Sequence, residues 1–361
     1  MRIKDQVITI IGAGATGLSL AWYLQNSGYS VRLIDPQLKN LAKAESASFA
    51  ATGILMGSIY KNTRGRSWQL RQRSVALWPQ WRALIQSCTK DLIYRPGILF
   101  LASNISEQNW QSQILLKSRK ADIIKWNRKK LDALDPEISS SILSGLFSLE
   151  DGQIDPKRIL DSFYEDSLRK GIDIISRRLK RLIYVKDTWQ LELECGESLN
   201  SRWIVLCTGS DISVLPSKGY HPILTQRIAG QSLQLMLPHP RENPWKCWPG
   251  SINWKSNNLV PISNNEYWIG STIEKDNFIK SDTLNTLINR HGIAPEWLKK
   301  SKIIKHWQGL RSRPIYRPSP ILQLVAPGLI VATGFYRNGI LLAPATAEWV
   351  MKCITITDHS Y

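Results

Sequence analysis

The stretch PGLIVATGFYRNGILLAPATAEWVM, from Pro327 to Met351, decides the fold together with VITIIGAGATGLSLAWYLQNSGYSVRLID, from Val7 to Asp35. The C-terminal stretch predicts a buried strand at 329–333, a tight loop, and a helix that starts near Asn338-Gly339. The N-terminal stretch predicts a strand, a glycine-rich turn, a helix and a second strand. Glycine-rich loops at both ends of the chain indicate one long nucleotide cofactor held at both of its ends.

The N-terminal loop has the spacing G-x-G-x-x-G, formed by Gly12, Gly14 and Gly17. In such a loop the first glycine permits a tight turn, the second lets the backbone approach a pyrophosphate, and the third lets helix and strand pack closely. The helix N-terminus then faces the phosphates. Asp35 ends the second strand, where a carboxylate can accept hydrogen bonds from the adenosine ribose. This motif alone leaves both NAD and FAD open.

A second segment, AESASFAATGILMG at 44–57, is rich in small residues and predicts a closely packed loop that enters a helix near Ile54. Small residues let the backbone approach a flat ligand, and the hydroxyl groups can bond its phosphate or ribityl groups. The same composition is also typical of tight helix packing, so both interpretations stay open.

The middle of the chain changes from helical to strand-rich patterns. A helix is predicted at 67–88, a pair of strands around Pro96-Gly97, and a turn at Asp151-Gly152 followed by a helix that begins at Pro156. From about 221 to 305 the pattern predicts mainly strands. Units of βαβ type at both ends and an antiparallel block between them predict a nucleotide-binding lobe interrupted by a second lobe.

The composition is that of a globular protein with two lobes: 361 residues, 43% hydrophobic and 21% charged. The five cysteines show neither a C-x-x-C pair nor metal-like spacing, which favours a reducing compartment. The apolar run at 7–24 contains the glycine motif, which disfavours a signal peptide. Since no segment has the ~20 apolar residues that a membrane span needs, we expect a cytoplasmic protein.

The net charge of +18 admits two interpretations. The basic residues are dispersed and interleaved with apolar ones, which is typical of solvated faces of ordinary helices and strands. A functional basic face for anionic lipid or RNA is the alternative. Peripheral membrane contact and a homo-oligomer are both compatible with the sequence.

With these motifs in hand, the chain resembles the D-amino-acid-oxidase family of flavoproteins, and within it the glycine oxidases of the thiamine-biosynthetic type. The similarity covers essentially the full length. It is carried by the glycine fingerprint, ASFAATGIL, the weaker IYRPGILFLA and DGQIDP, then IVLCTGS, GQSLQL, LVPISNNEYWIGST, WQGLR and, most specifically, YRNGILLAPATA.

The resemblance implies a Rossmann-like FAD-binding domain of α/β class with an inserted, mainly antiparallel α+β substrate domain. The FAD-binding domain is predicted to be discontinuous, at 1–90, 151–220 and 306–361. The substrate domain is predicted at 91–150 and 221–305.

The resemblance also implies FAD rather than NAD. The residues predicted to bind FAD are Gly12, Ala13, Gly14, Ala15, Thr16, Gly17, Asp35, Pro36, Ala47, Ser48, Thr52, Gly53, Ile54, Gly334, Phe335, Tyr336, Arg337, Asn338, Gly339, Ile340 and Leu341.

Two arginines are the predicted catalytic and substrate-binding residues. Arg311, in WQGLR, matches the arginine that pairs with the substrate carboxylate, and Arg337, in YRNG, matches a second arginine near substrate and flavin. Guanidinium is planar, permanently charged and able to hold a carboxylate with two hydrogen bonds. From the residues alone, a structural ion pair remains an alternative for each arginine.

Three positions depart from the family pattern. Asn258 stands where relatives usually have tyrosine, and it is also a predicted substrate-binding residue; Phe335 stands where they carry histidine. After GLR the chain continues SRPIYRPSPIL instead of the usual Pro and Asp-Gly-x-Pro. The cofactor apparatus is therefore closer to the family than the substrate pocket.

The resemblance implies an FAD-dependent oxidase or dehydrogenase that converts the amine of a small amino acid (glycine, a D-amino acid or an N-methyl amino acid) to the imine and 2-oxo acid. Oxygen or another electron acceptor is the second partner. None of the five histidines lies in a catalytic motif, so no general base is assigned. The alternatives are a flavin-dependent tRNA-modifying oxidoreductase, which the dispersed charge disfavours, and a catalytically drifted flavin-binding protein.

Overall fold

The computed structural model describes residues 6–39, 46–60, 64–89, 92–117, 122–215, 222–239, 242, 244–274, 282–289 and 292–358. The architecture is a mixed α/β fold with two large sheets and one small one. This confirms the predicted fold class. The domain boundaries given above stay a prediction.

The first sheet contains the N- and C-terminal motifs. Its strands are β1 (Val7–Ile11), β2 (Ser30–Ile34), β7 (Asp173–Ile175), β11 (Trp203–Leu206), β17 (Ile321–Ala326) and β18 (Leu329–Thr333). The order is β17-β18-β11-β1-β2-β7. All neighbours are parallel except β17 and β18. Since carboxyl ends of parallel strands meet at one edge, the loops after β1, β2, β11 and β18 lie close together.

Helices pack on this sheet through a core of large apolar side chains. They are α1 (Ala15–Asn26), α2 (Arg66–Cys88), α5 (Pro156–Arg169) and α8 (Ala343–Asp358). Trp22 of α1 lies with its ring centroid 4.9 Å from Trp81 of α2 and 5.2 Å from Phe163 of α5. The buried contacts between these aromatic rings fix α1, α2 and α5 relative to one another, and so fix the position of the first turn of α1.

The second sheet has nine strands and carries two of the three predicted substrate-binding residues, Arg311 and Asn258. They are β3 (Ile54–Leu55), β4 (Tyr94–Ala102), β5 (Ile123–Trp126), β6 (Ser144–Ile154), β12 (Thr225–Met236), β13 (Ser251–Trp254), β14 (Asn257–Pro261), β15 (Glu266–Gly270) and β16 (Lys302–Pro314). The order is β16-β12-β15-β14-β13-β4-β6-β3, with β5 also on β6. Among the described strands of this sheet, β4 and β13 form the one parallel pair.

The remaining elements are smaller. A three-stranded antiparallel sheet consists of β8 (Leu179–Val185), β9 (Thr188–Leu193) and β10 (Ser198–Ser201). The other helices are α3 (Ile105–Lys117), α4 (Arg128–Asp132), α6 (Asp282–Asn289) and α7 (Glu296–Lys299).

Two strand predictions were wrong in detail. The segment around Pro96-Gly97 is a single strand, β4, because Gly97, at φ +88°, absorbs a register shift against β6 without ending the pairing. Asp151-Gly152 lies inside β6 instead of forming a turn. The Asp151 carboxylate is fully buried and accepts hydrogen bonds from the backbone N–H groups of Gly57 and Ser58, so a typical turn residue is accommodated within a strand.

Two helix starts were also wrong. Ile54 enters the short strand β3, since it pairs with Gln153 of β6. The C-terminal helix begins at Ala343, not at Asn338-Gly339. The intervening residues form turns, in which Leu342 N donates to Asn338 O at 2.8 Å. Pro344 lacks an N–H donor and is tolerated in the first turn of a helix, which fits the later start.

Candidate active site

The glycine loop between β1 and α1 is shaped by close backbone approaches. Gly12 has φ +104°, and a Cβ there would lie 2.6 Å from Cys207 O on the neighbouring strand end. A Cβ on Gly17 would lie 1.7 Å from Gly12 O. Neither position can hold a side chain without displacing main chain. A Cβ on Gly14, by contrast, would meet only the Ser48 hydroxyl, at 3.2 Å, so its backbone faces an open side.

Asp35 and the 46–54 loop surround the start of α1. The Asp35 carboxylate accepts from Ala13 N at 2.9 Å and from Gln37 N at 2.8 Å, which ties it to the glycine loop. Ser48 Oγ accepts from Ala15 N at 2.9 Å. The next residue, Pro36, accepts a hydrogen bond from the Ser176 hydroxyl, and Thr16 lies buried in the first turn of α1.

The rest of that loop is held by the second sheet. Thr52 O accepts from the buried Gln153 amide at 3.0 Å. Gly53 has φ +71°, and a Cβ there would lie 1.8 Å from Ile154 O. Ala47 lies against Gly309 of β16, where a Cβ would approach Ala47 Cα to 2.9 Å. The residues predicted from the small-residue segment therefore form a loop wedged between both sheets, next to the α1 N-terminus.

The C-terminal loop meets the glycine loop. A Cβ on Gly339 would lie 4.0 Å from Ala15 Cβ. Gly334 O accepts from the Ser319 hydroxyl at 2.6 Å, and Leu341 O accepts from the Trp78 indole at 2.9 Å. Phe335, Ile340 and Leu341 are buried. The two glycine-rich loops predicted to hold opposite ends of one cofactor thus lie side by side.

Arg71 is a residue of this region that the sequence did not single out. It is 3% exposed, and its guanidinium donates to Asn338 Oδ1 at 2.9 Å and to Met56 O. It also lies over the Tyr60 ring, 4.0 Å from the centroid. Burial lowers the pKa of Arg71. In sequence it is one of several arginines in RSWQLRQR, where nothing marks it as buried.

Arg311 projects from β16 over β12. Its Nη1 donates to Thr272 O at 3.0 Å and to Ala229 O at 3.3 Å, and its Nη2 donates to Ser271 Oγ at 2.6 Å. A guanidinium has five N–H donors, so at least two remain without an acceptor among the described residues. Burial, with the positive charge of Arg337 adding to it, lowers the pKa of Arg311 to about 10, so it is cationic at neutral pH.

Arg337 and Asn258 lie beside Arg311. Tyr336 N donates to Ser312 O at 2.9 Å, which fixes the loop before Arg337 to the strand carrying Arg311. Arg337 Nη2 donates to Ser256 O at 2.9 Å, in the hairpin between β13 and β14. Asn258, in the same hairpin, is 5% exposed, accepts from the Asn253 amide at 2.8 Å and pairs with Gly270, next to Ser271. The structure therefore brings the three predicted substrate-binding residues into one region.

The described residues contain no group of three or more His, Cys, Asp or Glu arranged to hold a metal ion. His306 is exposed and bonds to Gln231 at 2.8 Å; His221, His291 and His359 lie outside the described residues. No helix among the described parts of the chain is long and apolar enough to cross a membrane.

The residues present fit a dinucleotide cofactor. The N-cap residue of helix α1, Gly14, has no side chain, and the Ala15 N–H donates to Ser48. The N–H groups of Thr16 and Gly17 have no acceptor among the described residues, so they are available to a phosphate. Ser46 Oγ is buried without a hydrogen-bond partner among the described residues, in the same loop as Ser48. The open side of Gly14 completes a cradle of backbone and hydroxyl donors.

Comparison with known proteins decides the cofactor. The model of the family described as FAD dependent oxidoreductase, DAO, matches residues 8–352. The chain belongs to this family. As a DAO-family protein it is an FAD-dependent oxidoreductase, which confirms the predicted cofactor and enzyme class.

The sequence of this DAO-family protein is similar to those of its relatives over most of its length. It is 27% identical to the bifunctional protein ThiO/ThiG of Nostoc sp., over 96% of this chain and 52% of the relative. It is 26% identical to the hydrogen cyanide synthase subunit HcnC of Pseudomonas aeruginosa, over 94% of this chain and 90% of the relative. The chain thus spans about half the length of the bifunctional relatives it matches.

Solved structures show the same fold. Glycine oxidase from Bacillus cereus superimposes with a TM-score of 0.84 at 23% identity, covering 98% of this chain and 95% of that chain. Iminodiacetate oxidase from Chelativorans sp. superimposes with a TM-score of 0.81 at 18% identity, covering 94% of this chain and 93% of that chain. The DAO-family architecture therefore extends through both large sheets.

Proposed function

We propose that the protein oxidises the amine of a small amino acid, with the substrate carboxylate bound by Arg311. The observation that carries this proposal is the half-buried guanidinium of Arg311, which three acceptors hold and which keeps at least two N–H donors without an acceptor among the described residues. A fixed, partly desolvated guanidinium is a strong partner for a carboxylate. Relatives named glycine oxidase and iminodiacetate oxidase support an amine next to that carboxylate.

The chain's own residues would orient the substrate. Binding of the carboxylate at Arg311 fixes one end of the molecule, and Arg337 and Asn258 border the remaining space. Bound FAD would accept the two electrons released at the carbon that carries the amine. Orientation alone lowers the barrier substantially because it removes the entropy cost of bringing the reactants together. Hydrolysis of the resulting imine gives a 2-oxo acid and ammonia.

The residues predicted to bind FAD support a placement along the edge of the first sheet. The glycine loop and Asp35 would hold the adenosine and phosphate end, and 334–341 would lie along the flavin end. We also propose the discontinuous domain boundaries given above, oxygen or another electron acceptor as oxidant, and a cytoplasmic location. No observation favours tRNA modification.

The test is anaerobic mixing of the purified holoprotein with small amino acids and N-methyl amino acids. We expect at least one of them to bleach the flavin absorbance, with decarboxylated analogues reacting far more slowly. If every amino acid leaves the flavin oxidised while another class of reductant bleaches it, the proposed substrate class is wrong.

A further inference from the structure

A connected set of buried polar side chains lies behind Arg311. Glu274 is 7% exposed, and its Oε1 accepts from Gln231 Nε2 at 2.8 Å and from Thr272 Oγ1 at 2.6 Å. Gln231 is fully buried in β12, and its backbone N–H donates to Thr272 Oγ1 at 2.8 Å. A carboxylate this far from water needs such donors, and it fixes the groups that supply them.

The same groups form the cradle of Arg311. Thr272 bonds to Glu274 through its side chain and to Arg311 Nη1 through its backbone oxygen. Ala229 O accepts from Glu274 N at 3.0 Å and from Arg311 Nη1 at 3.3 Å. Both backbone oxygens that hold the guanidinium are therefore linked to Glu274. Ala229 O is linked through the backbone N–H of Glu274, and Thr272 is linked through its own hydroxyl to the Glu274 carboxylate.

Gly230 leaves room for the guanidinium in this cradle. A Cβ at this position would lie 2.1 Å from both Nη atoms of Arg311. The outer end of the network is His306, whose Nε2 lies 2.8 Å from Gln231 Oε1 and which is on the same strand as Arg311. The Gln231 amide is thus engaged at both ends, which sets its orientation.

Two effects of Glu274 on substrate binding oppose each other. Its negative charge lies close enough to oppose the lowering of the Arg311 pKa, so it also repels a substrate carboxylate. On the other hand, its carboxylate bonds to Gln231 of β12 and to Thr272, in addition to the backbone bonds that hold the 271–274 segment on β12. This segment supplies two of the three acceptors of Arg311 among the described residues. We expect the support of Arg311 to outweigh the charge repulsion. A displaced guanidinium cannot form two parallel hydrogen bonds to a carboxylate, and its charge alone does not replace them.

We propose that Glu274, held by Gln231 and Thr272, is the positioning residue for Arg311 and so determines how tightly a substrate carboxylate is bound. This inference rests on the proposed function, because it requires that Arg311 bind the carboxylate.

The test uses the FAD-loaded protein and two unreactive probes, acetate and its neutral analogue acetamide, with flavin absorbance reporting binding. In the wild type we expect acetate to bind more tightly than acetamide. Glu274→Ala should weaken acetate binding about tenfold or more and leave acetamide binding nearly unchanged. Glu274→Gln keeps an oxygen acceptor at the same place and should recover most of the loss.

The matched control is Glu266→Ala. Glu266 of β15 accepts from Gln234 Nε2 of β12 at 2.8 Å. This is again a glutamate that accepts from a glutamine of β12, but it has no bond to Arg311 or to an acceptor of Arg311 among the described residues. We expect this variant to bind acetate like the wild type. In an Arg311→Ala background, Glu274→Ala should cause no further loss. With an active amino acid, Glu274→Ala should raise KM much more than it lowers kcat.

The outcomes separate the two proposals. Tighter acetate binding in Glu274→Ala would show that charge repulsion prevails, and unchanged binding would show that the cradle does not depend on Glu274; either result overturns this inference alone. An equal loss for acetate and acetamide would indicate general damage and would also overturn it. If Arg311→Ala itself binds acetate normally, the proposed function fails first.

Discussion

The two regions that meet at the site are built by different means. At the edge of the first sheet, the loops take their shape from the absence of side chains, as at Gly12 and Gly17, where a Cβ would collide with main chain. At the edge of the second sheet, Arg311 takes its position from one carbonyl group on β12 and from a hydroxyl and a carbonyl group in the segment that follows β15. A local backbone motif tolerates few residue types, whereas a dispersed polar network can be weakened at many points.

We expect the largest effect on ligand binding from substitution of Arg311, which tests whether the second sheet holds the substrate. Removing one partner of a buried charge pair costs roughly 2–5 kcal/mol. Arg311→Ala should therefore raise the dissociation constant of an amino acid substrate about 30-fold or more and leave the oxidised flavin spectrum almost unchanged. Arg311→Lys should recover part of the loss, because lysine keeps the charge without the planar fork. Normal binding and oxidation by Arg311→Ala would make this residue a structural one.

A smaller effect is expected at the other region, for Asp35→Ala. Its carboxylate accepts a hydrogen bond from Ala13 N of the glycine loop, and we predict that it binds the adenosine end of FAD. Loss of hydrogen bonds to a charged group costs about 1.5–3 kcal/mol, so FAD affinity should fall about tenfold or more. Titration of the apoprotein with FAD measures this, and flavin reduction in the saturated enzyme should change little. Normal flavin content with slow reduction would contradict the placement of Asp35.

The comparison is sharpened by two arginines of one helix. Arg71 is buried and bonds to Asn338 and Met56, whereas Arg73 forms an exposed pair with Glu348 at 2.6 Å. Arg71→Leu leaves two oxygen acceptors unsatisfied, which should lower the free energy of unfolding by about 1–3 kcal/mol. Arg73→Ala should cost about 0–1 kcal/mol. Urea unfolding of the holoprotein measures both, and equal losses would show that Arg71 does not support the C-terminal loop.

The smallest effect concerns pH. Because burial lowers the pKa of Arg311 to about 10 and the protonated guanidinium binds carboxylates, acetate affinity should be flat from pH 7 to 9. Affinity should then decline as the pH rises through about 10. Flavin absorbance titrations at each pH measure it, with acetamide as the control. A decline centred near neutral pH would mean that another group controls the carboxylate site.

The same contrast explains what could be predicted from the sequence. The first sheet was predictable because its motifs are local: Gly12, Gly14, Gly17 and Asp35 stand within one βαβ unit, and the family model confirms the cofactor that the resemblance implied. The assigned roles of the individual site residues stay predictions. Arg71 and Glu274 were missed because they bond to residues that are distant in sequence, Asn338 and Gln231 respectively. The sequence also does not show which arginine or glutamate is buried.

The errors in element boundaries have the same origin. Asp151-Gly152 has turn-like composition, yet the buried Asp151 carboxylate is satisfied by N–H groups at 57–58. The Asn338-Gly339 pair predicts a helix start in the loop, whereas the helix begins at Ala343, just before Pro344. In each case a tertiary contact or the chemistry of proline overrides a local propensity.

The bond from the Trp307 indole to Ala50 O, 3.0 Å long, joins residues 257 positions apart. Ala50 belongs to the loop whose Ser48 bonds to the first N–H of α1. The loop beside the glycine motif therefore takes part of its support from a strand that is made 257 positions later. A fragment that ends before Lys302 would contain the whole glycine motif and lack the indole that fixes Ala50. We therefore expect tight FAD binding to depend on residues far downstream of the motif itself.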